Sequence, residues 1–209
     1  MEVIMFWLAE GADGFRVDAI NHLYESEFLL DEEYINLEGD LTRYDNLVHS
    51  HTMNEVQLLL SSNASTKSSI SFQPESYEFI FNVRKVMDDY AMSIDNITRF
   101  LMTEAYATIP LQIGWYGLNS TIKGSHMPFN FAMISELNQN SKAAEFKQVI
   151  DTWIGLTPTW GTPNWVLGNH DRSRVGSRYG ADRHEGLAIM TMMLPGINVI
   201  YYVRTFLGL

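Results

Sequence analysis

Cysteine is absent from this 209-residue chain, so its redox compartment cannot be read from disulfides. Basic residues are scarce. Fourteen Lys and Arg stand against 25 Asp and Glu, a formal net charge of −11. A phosphate-binding surface needs a basic patch, so this balance argues against nucleic acid as a partner and leaves a neutral ligand such as a sugar compatible. No apolar run is long enough to span a bilayer, which leaves membrane contact only to an anchor on a complete protein. Met1 opens on an amphipathic segment, not on the basic and apolar regions of a signal peptide. What is present fits a folded chain. Hydrophobic residues make up 46%, and the length suffices for one domain with a real core. The 12% aromatic content suits stacking on sugars and serves equally as core. N-x-S/T sequons at Asn63, Asn96 and Asn119 are glycosylation candidates and point towards secretion.

The order of local patterns is that of an α/β protein. Residues 1–10 carry Val3, Ile4, Phe6, Trp7 and Leu8 on an apolar helical face, and Gly11 can end that helix. Gly14 to Ile20 has the apolar, β-branched and aromatic character of a buried parallel strand. Residues 25–70 turn acidic and then serine-rich, which predicts a long connection with short helices and a solvated loop. From Pro74 to Ala91 the spacing of Tyr77, Phe81, Val83, Val86 and Tyr90 predicts an amphipathic helix opened by its proline. Strands are then expected at 99–105, 126–131, 165–168 and 197–202, with helices at 135–153 and 183–194. Strand alternating with helix argues for parallel βαβ units, in a barrel or a doubly wound sheet. Periodicity does not separate the two. There is no internal repeat.

Three segments place a carboxylate where a strand-like run ends: Gly14-Phe15-Arg16-Val17-Asp18-Ala19, Phe100-Leu101-Met102-Thr103-Glu104-Ala105-Tyr106 and Trp165-Val166-Leu167-Gly168-Asn169-His170-Asp171. Strand alternation puts Arg16 and Asp18 on one face. A guanidinium at that range favours the ionised carboxylate a nucleophile needs, and it would equally make an ion pair that only holds a loop. Glu104 follows an apolar approach, whose desolvation favours the protonated form a general acid needs. A charge at a strand end is otherwise simply solvated. His170 beside Asp171 reads on its own as a hydrogen-bonded core histidine.

Taken together and in this order, these segments resemble the alpha-amylase family of glycoside hydrolases (family 13), and within it the insect maltase or alpha-glucosidase group. The resemblance runs from about Met5 to Tyr202. It implies a (β/α)8 TIM barrel, with Gly14–Ile20 as the fourth strand and Arg99–Tyr106 as the fifth. His126–Phe131, Trp165–Asp171 and Ile197–Tyr202 follow as the sixth to eighth. Nothing matches the first three strands, and neither the small domain that members insert after the third nor the C-terminal β-domain is present. The chain therefore resembles the C-terminal portion of a catalytic barrel, a partial domain over residues 1–209, and is expected to be inactive by itself. Val203-Arg204-Thr205 after Tyr202 departs from the family pattern, which continues with Gly and then an acidic residue.

The implied chemistry is a retaining double displacement. Asp18 is the nucleophile, and Glu104 is the acid and then the base. Asp171 stabilises the oxocarbenium-like ring, with Arg16, His170 and Arg174 binding substrate. Ala19 points to α-1,4-linked glucosides, since related enzymes carry Val here for α-1,6 linkages. Phe129 and Phe131 line the sugar site or pack in the core. The expected partner is a small α-glucoside such as maltose, sucrose or a maltooligosaccharide, and the expected location is secreted or on the extracellular surface. No cofactor is implied and no metal ligands are assigned, with calcium open for a complete protein. The alternative within the family is a non-catalytic relative, an amino-acid transporter heavy chain or a surface binding receptor. Such relatives typically lose one or more of the carboxylates retained here.

Overall fold

The computed structural model describes residues 1–24, 72–180 and 182–201. They divide into two compact units, one within residues 1–128 and one within 129–209. The expected connection at 25–70 and the sequon at Asn63 lie outside the described residues, and so does the end of the expected strand at 197–202.

The first unit opens with α1 (Glu2–Ala9) and β1 (Gly14–Val17), followed by a 3-10 turn at Ile20–His22. After α2 (Pro74–Ile94) come β2 (Phe100–Thr103), α3 (Ile109–Gly114) and β3 (Met127–Pro128). The strands form a parallel sheet in the order β1-β2-β3, with Gly14 opposite Phe100 and Thr103 opposite Pro128. Gly14 is required by that pairing, because a Cβ there would meet the Phe100 carbonyl oxygen at 2.1 Å.

Helix α2 starts at its proline as expected, where the missing N–H costs nothing. Its buried face is Tyr77, Ile80, Val83, Arg84, Met87 and Ala91, while Phe81, Val86 and Tyr90 sit half-buried at the margin. The Tyr77 ring stacks on Trp115 with centroids 3.7 Å apart, and its hydroxyl donates to the Leu111 carbonyl at 3.2 Å. Complete burial raises the pKa of that hydroxyl far above the ordinary phenol value. Leu8, Ile80, Met87 and Leu101 complete this core. Each such side chain contributes about 1.5–3 kcal/mol on burial. The Tyr90 hydroxyl donates to the Leu8 carbonyl at 3.0 Å and ties α1 to α2.

The second unit holds α4 (Ala132–Ser135), α5 (Ala143–Leu156), β4 (Asn164–Val166), α6 (Val175–Tyr179), α7 (His184–Met193) and β5 (Ile197–Val199). Strands β4 and β5 pair in parallel, Asn164 opposite Ile197. Trp165 is fully buried, and its indole donates to the Pro195 carbonyl at 2.9 Å.

The single helix expected over 135–153 is instead two helices with a break. Asn138 and Ser141 explain the break. The Asn138 side chain accepts from the Asn140 N–H at 2.9 Å, and the Ser141 hydroxyl accepts from the Asn138 N–H at 3.1 Å. These local bonds compete with the helical ladder. Helix α5 restarts at Ala143, with the Glu145 carboxylate accepting the Lys142 N–H at 2.7 Å. The strand expected over 14–20 ends at Val17, because Ala19 takes a left-handed backbone, φ 43 and ψ 40.

Candidate active site

Asp18 follows β1 directly and Glu104 follows β2 directly. Because Val17 pairs with Thr103, the two carboxylates leave neighbouring strands at the same level of the sheet. The backbone stitches these ends together. The Glu104 N–H donates to the Val17 carbonyl at 2.9 Å, and the Ile20 N–H donates to the Glu104 carbonyl at 3.0 Å. The left-handed turn at Ala19 aims a further N–H at the Glu104 side chain, 2.8 Å from Oε2. That N–H fixes one oxygen of the Glu104 side chain in direction.

Arg16 sits between the two acids. Its Nη1 lies 2.6 Å from Asp18 Oδ1, and its Nη2 lies 3.8 Å from Glu104 Oε2. The surroundings of the acids differ sharply: the Asp18 side chain is 69% exposed and that of Glu104 only 7%. A rim-exposed carboxylate beside a buried one, both in reach of one guanidinium, is an arrangement able to attack one atom of a ligand and exchange a proton with another.

The second unit carries the other expected residues on the loop between β4 and α6. His170 Nε2 and Asp171 Oδ1 are 3.2 Å apart, and both side chains are exposed. Asp171 lies five residues beyond the end of β4, where the sequence had placed it at a strand end. Its N–H donates to the Asn169 side chain at 3.2 Å, a turn that shapes the loop. Arg174 precedes α6 and lies over the Tyr201 ring, 4.5 Å from its centroid. Phe131 is buried in the core and Phe129 half-buried beside it. The structure thus groups Arg16, Asp18 and Glu104 in the first unit. His170, Asp171 and Arg174 lie together in the second.

Two supporting groups escape a reading of the sequence. One is the Ala19 N–H, which only a left-handed turn could direct at Glu104. The other is Arg178. Its guanidinium donates to the Leu167 carbonyl and, at 3.0 Å, to the Ser173 carbonyl, so one side chain fastens both ends of the loop that bears His170 and Asp171. Nothing in its spacing or neighbours sets Arg178 apart from an ordinary surface arginine.

A family model described as the catalytic domain of alpha-amylase matches residues 1–204. The chain belongs to the alpha-amylase family. Similar curated relatives of this alpha-amylase family chain include Maltase 1 of Drosophila virilis, 37% identical over 201 residues. Another is the salivary alpha-glucosidase of Aedes aegypti, 38% identical over 205 residues. Both alignments cover 96% of this chain but only 29% and 32% of the relatives, so the chain spans about a third of their length. A human amino acid transporter heavy chain also matches, at 30% identity and 27% of its length. Among solved structures, the isomaltulose synthase of Erwinia rhapontici superposes with a TM-score of 0.62 at 16% identity, covering 99% of this chain and 34% of that one. This likeness places the alpha-amylase family chain in the (β/α)8-barrel fold.

Proposed function

We propose that this chain carries the nucleophile and the acid–base group of a retaining α-glucosidase that removes terminal α-1,4-linked glucose from maltose, sucrose and short maltooligosaccharides. The supporting observation is the seating of Asp18 and Glu104 on adjacent parallel strand ends, both in reach of Arg16. On this reading β1 to β5 are the fourth to eighth strands of the family barrel, whose catalytic groups gather at the C-terminal strand ends.

Asp18, held by Arg16 and open to solvent, attacks the anomeric carbon. Glu104 gives its proton to the departing glycosidic oxygen. The covalent glycosyl-enzyme is then hydrolysed by water, which Glu104 deprotonates. The Ala19 N–H and Arg16 fix the Glu104 carboxylate during this exchange. Asp171 stabilises the ring as positive charge develops, while His170 and Arg174 bind the sugar. No cofactor enters these steps, and no residue of this chain is assigned to a metal. The retained set of Arg16, Asp18, Glu104, His170 and Asp171 supports an enzyme over a non-catalytic transporter subunit. The same reading makes the protein a secreted or cell-surface one and the 209-residue chain inactive alone.

The test uses the complete protein with maltose as substrate. Glucose should emerge first as the α-anomer by NMR, and Asp18→Asn should lower kcat by on the order of a thousandfold or more while leaving the unfolding midpoint nearly unchanged. Early β-glucose would exclude retention, and near-normal turnover by Asp18→Asn would remove Asp18 from the role.

A further inference from the structure

We propose that Asn119 is a site of N-linked glycosylation. Asn119-Ser120-Thr121 forms the exposed tip of a hairpin closed by an antiparallel bridge between Gly117 and Lys123. Asn119 Oδ1 accepts three hydrogen bonds: from the Thr121 N–H at 2.8 Å, the Thr121 hydroxyl at 2.6 Å and the Ile122 N–H at 2.8 Å. The carbonyl half of the side-chain amide is therefore committed to the turn, and Nδ2 is the half left to react.

The co-substrate is an oligosaccharide linked to a lipid pyrophosphate. Nδ2 attacks the anomeric carbon of its first sugar, a C–N bond forms, and the sugar–phosphate bond breaks. The lipid pyrophosphate departs, and one amide proton passes to a base. The product is still an amide with its oxygen intact, so all three hydrogen bonds to Oδ1 survive the modification.

The second exposed sequon among the described residues, Asn96-Ile97-Thr98, is built differently. It crosses a clamped link between α2 and β2. The Ile97 N–H donates to Asp95 at 2.9 Å, and the Ile97 carbonyl accepts from Arg99 at 2.6 Å. Arg99 also pairs with Asp95 at 2.7 Å. The middle residue of that sequon is thus held on both sides, whereas in the hairpin the threonine already contacts its own asparagine.

The location also suits a bulky adduct. The hairpin leads into the start of the β2–β3 pairing, where the Ser125 hydroxyl and the His126 N–H both donate to the Leu101 carbonyl. Glu104 lies three residues further along, about 10 Å at strand rise. A glycan on Asn119 therefore leaves from the opposite strand ends to those that bear Asp18 and Glu104.

The inference rests on the exported location proposed above, and the experiment removes that dependence. The chain is expressed in insect cells behind an unrelated secretion signal. Occupied asparagines are then mapped by mass spectrometry after enzymatic deglycosylation in ¹⁸O-labelled water. Asn119 should be the principal occupied position of the two described sequons. Asn119→Gln and Thr121→Ala should each remove the glycan, Thr121→Ser should restore it, and Asn96→Gln should leave it in place. A bare Asn119 on the exported chain, or occupancy at Asn96 with none at Asn119, would overturn the site. Cytosolic retention of the native protein would instead overturn the exported location and leave the competence of Asn119 standing.

Discussion

Glu104 is buried, accepts the Ala19 N–H and lies within 3.8 Å of Arg16, so its carboxyl is fixed in direction before any substrate arrives. That placement, with the acid–base role proposed for the group, leads to a selective prediction. Glu104→Gln keeps the volume and keeps an oxygen for the Ala19 N–H, but it cannot give a proton. Turnover of maltose in the complete protein should fall by about 10²–10⁴-fold, the usual range for general acid–base catalysis. The first step on an aryl glucoside with a strongly acidic phenol leaving group should fall far less, because that leaving group departs without protonation. Pre-steady-state phenol release compared with maltose turnover measures the difference. Equal losses on both substrates would assign Glu104 to binding or folding. The seating of Asp18 and Glu104 directly after two strands was legible in the sequence, because each follows a short, largely apolar run. The left-handed turn between them was not, since alanine carries no sign of a positive φ, and such a conformation costs a non-glycine residue roughly 1–2 kcal/mol.

Between β2 and β3 the sheet uses a side chain as well as backbone. The Leu101 N–H donates to His126 Nδ1 at 3.0 Å, while the His126 N–H donates to the Leu101 carbonyl at 2.9 Å. The ring must be unprotonated at Nδ1 to accept. Burial first, and then the nearby charges of Arg84 and Lys123 opposed by Asp88, pull its pKa down to about 4. The unfolded ring titrates near 6.5, so it takes up a proton between those values that the folded ring refuses. Stability from this contact is fully present above about pH 6.5 and is lost as the pH falls towards 4. Its size is on the order of 1–2 kcal/mol once the partial exposure of the ring is allowed for. Urea midpoints at pH 7 and 5 should differ more for the natural chain than for His126→Asn, which keeps an acceptor without a titration. The loop after β4 has an equivalent dependence on one side chain. Arg178→Met keeps the aliphatic stem but removes the donors to the Leu167 and Ser173 carbonyls. The loss should be about 2–3 kcal/mol, with hydrogen exchange rising selectively over residues 168–173. Unchanged exchange there would show that the loop keeps its shape without the clamp. Strand positions were legible because parallel strands are short continuous apolar runs. The break at 136–142 was not, because Asn138 and Ser141 act through side-chain bonds to the backbone that hydrophobic spacing does not register. The inward stripe of α2 was misplaced by part of a turn for a related reason. Aromatic residues such as Phe81 and Tyr90 carry weight in a spacing argument yet settle at a margin, while Arg84 goes inside because Asp88 and the Gly124 carbonyl satisfy it.

At the scale of the molecule, the sign of the charge and the distribution of apolar surface lead to one expectation about association. The described surface of α1 presents Val3 at 70% exposure, Phe6 at 56% and Trp7 at 52%, with Met1 and Met5 beside them. In the described sheet, β1 has a neighbour on one side only, so its other edge carries backbone groups without a strand partner there. An exposed apolar patch and an open strand edge are each usual substrates for association. The charge of −11 opposes this through long-range repulsion, but salt screens that repulsion beyond about 8 Å at physiological ionic strength, while burial of apolar surface is unaffected. The purified 209-residue chain should therefore self-associate more as salt rises from low to physiological, which light scattering after size exclusion measures directly. Placing one charge within the patch, as Phe6→Glu or Trp7→Glu, should shift the chain towards monomer at every salt concentration. Both side chains are more than half exposed, so neither substitution removes a core contact and the unfolding free energy should stay within about 0.5 kcal/mol of the parent. If both variants associate as strongly as the parent, the strand edge and not the helix face is the contact.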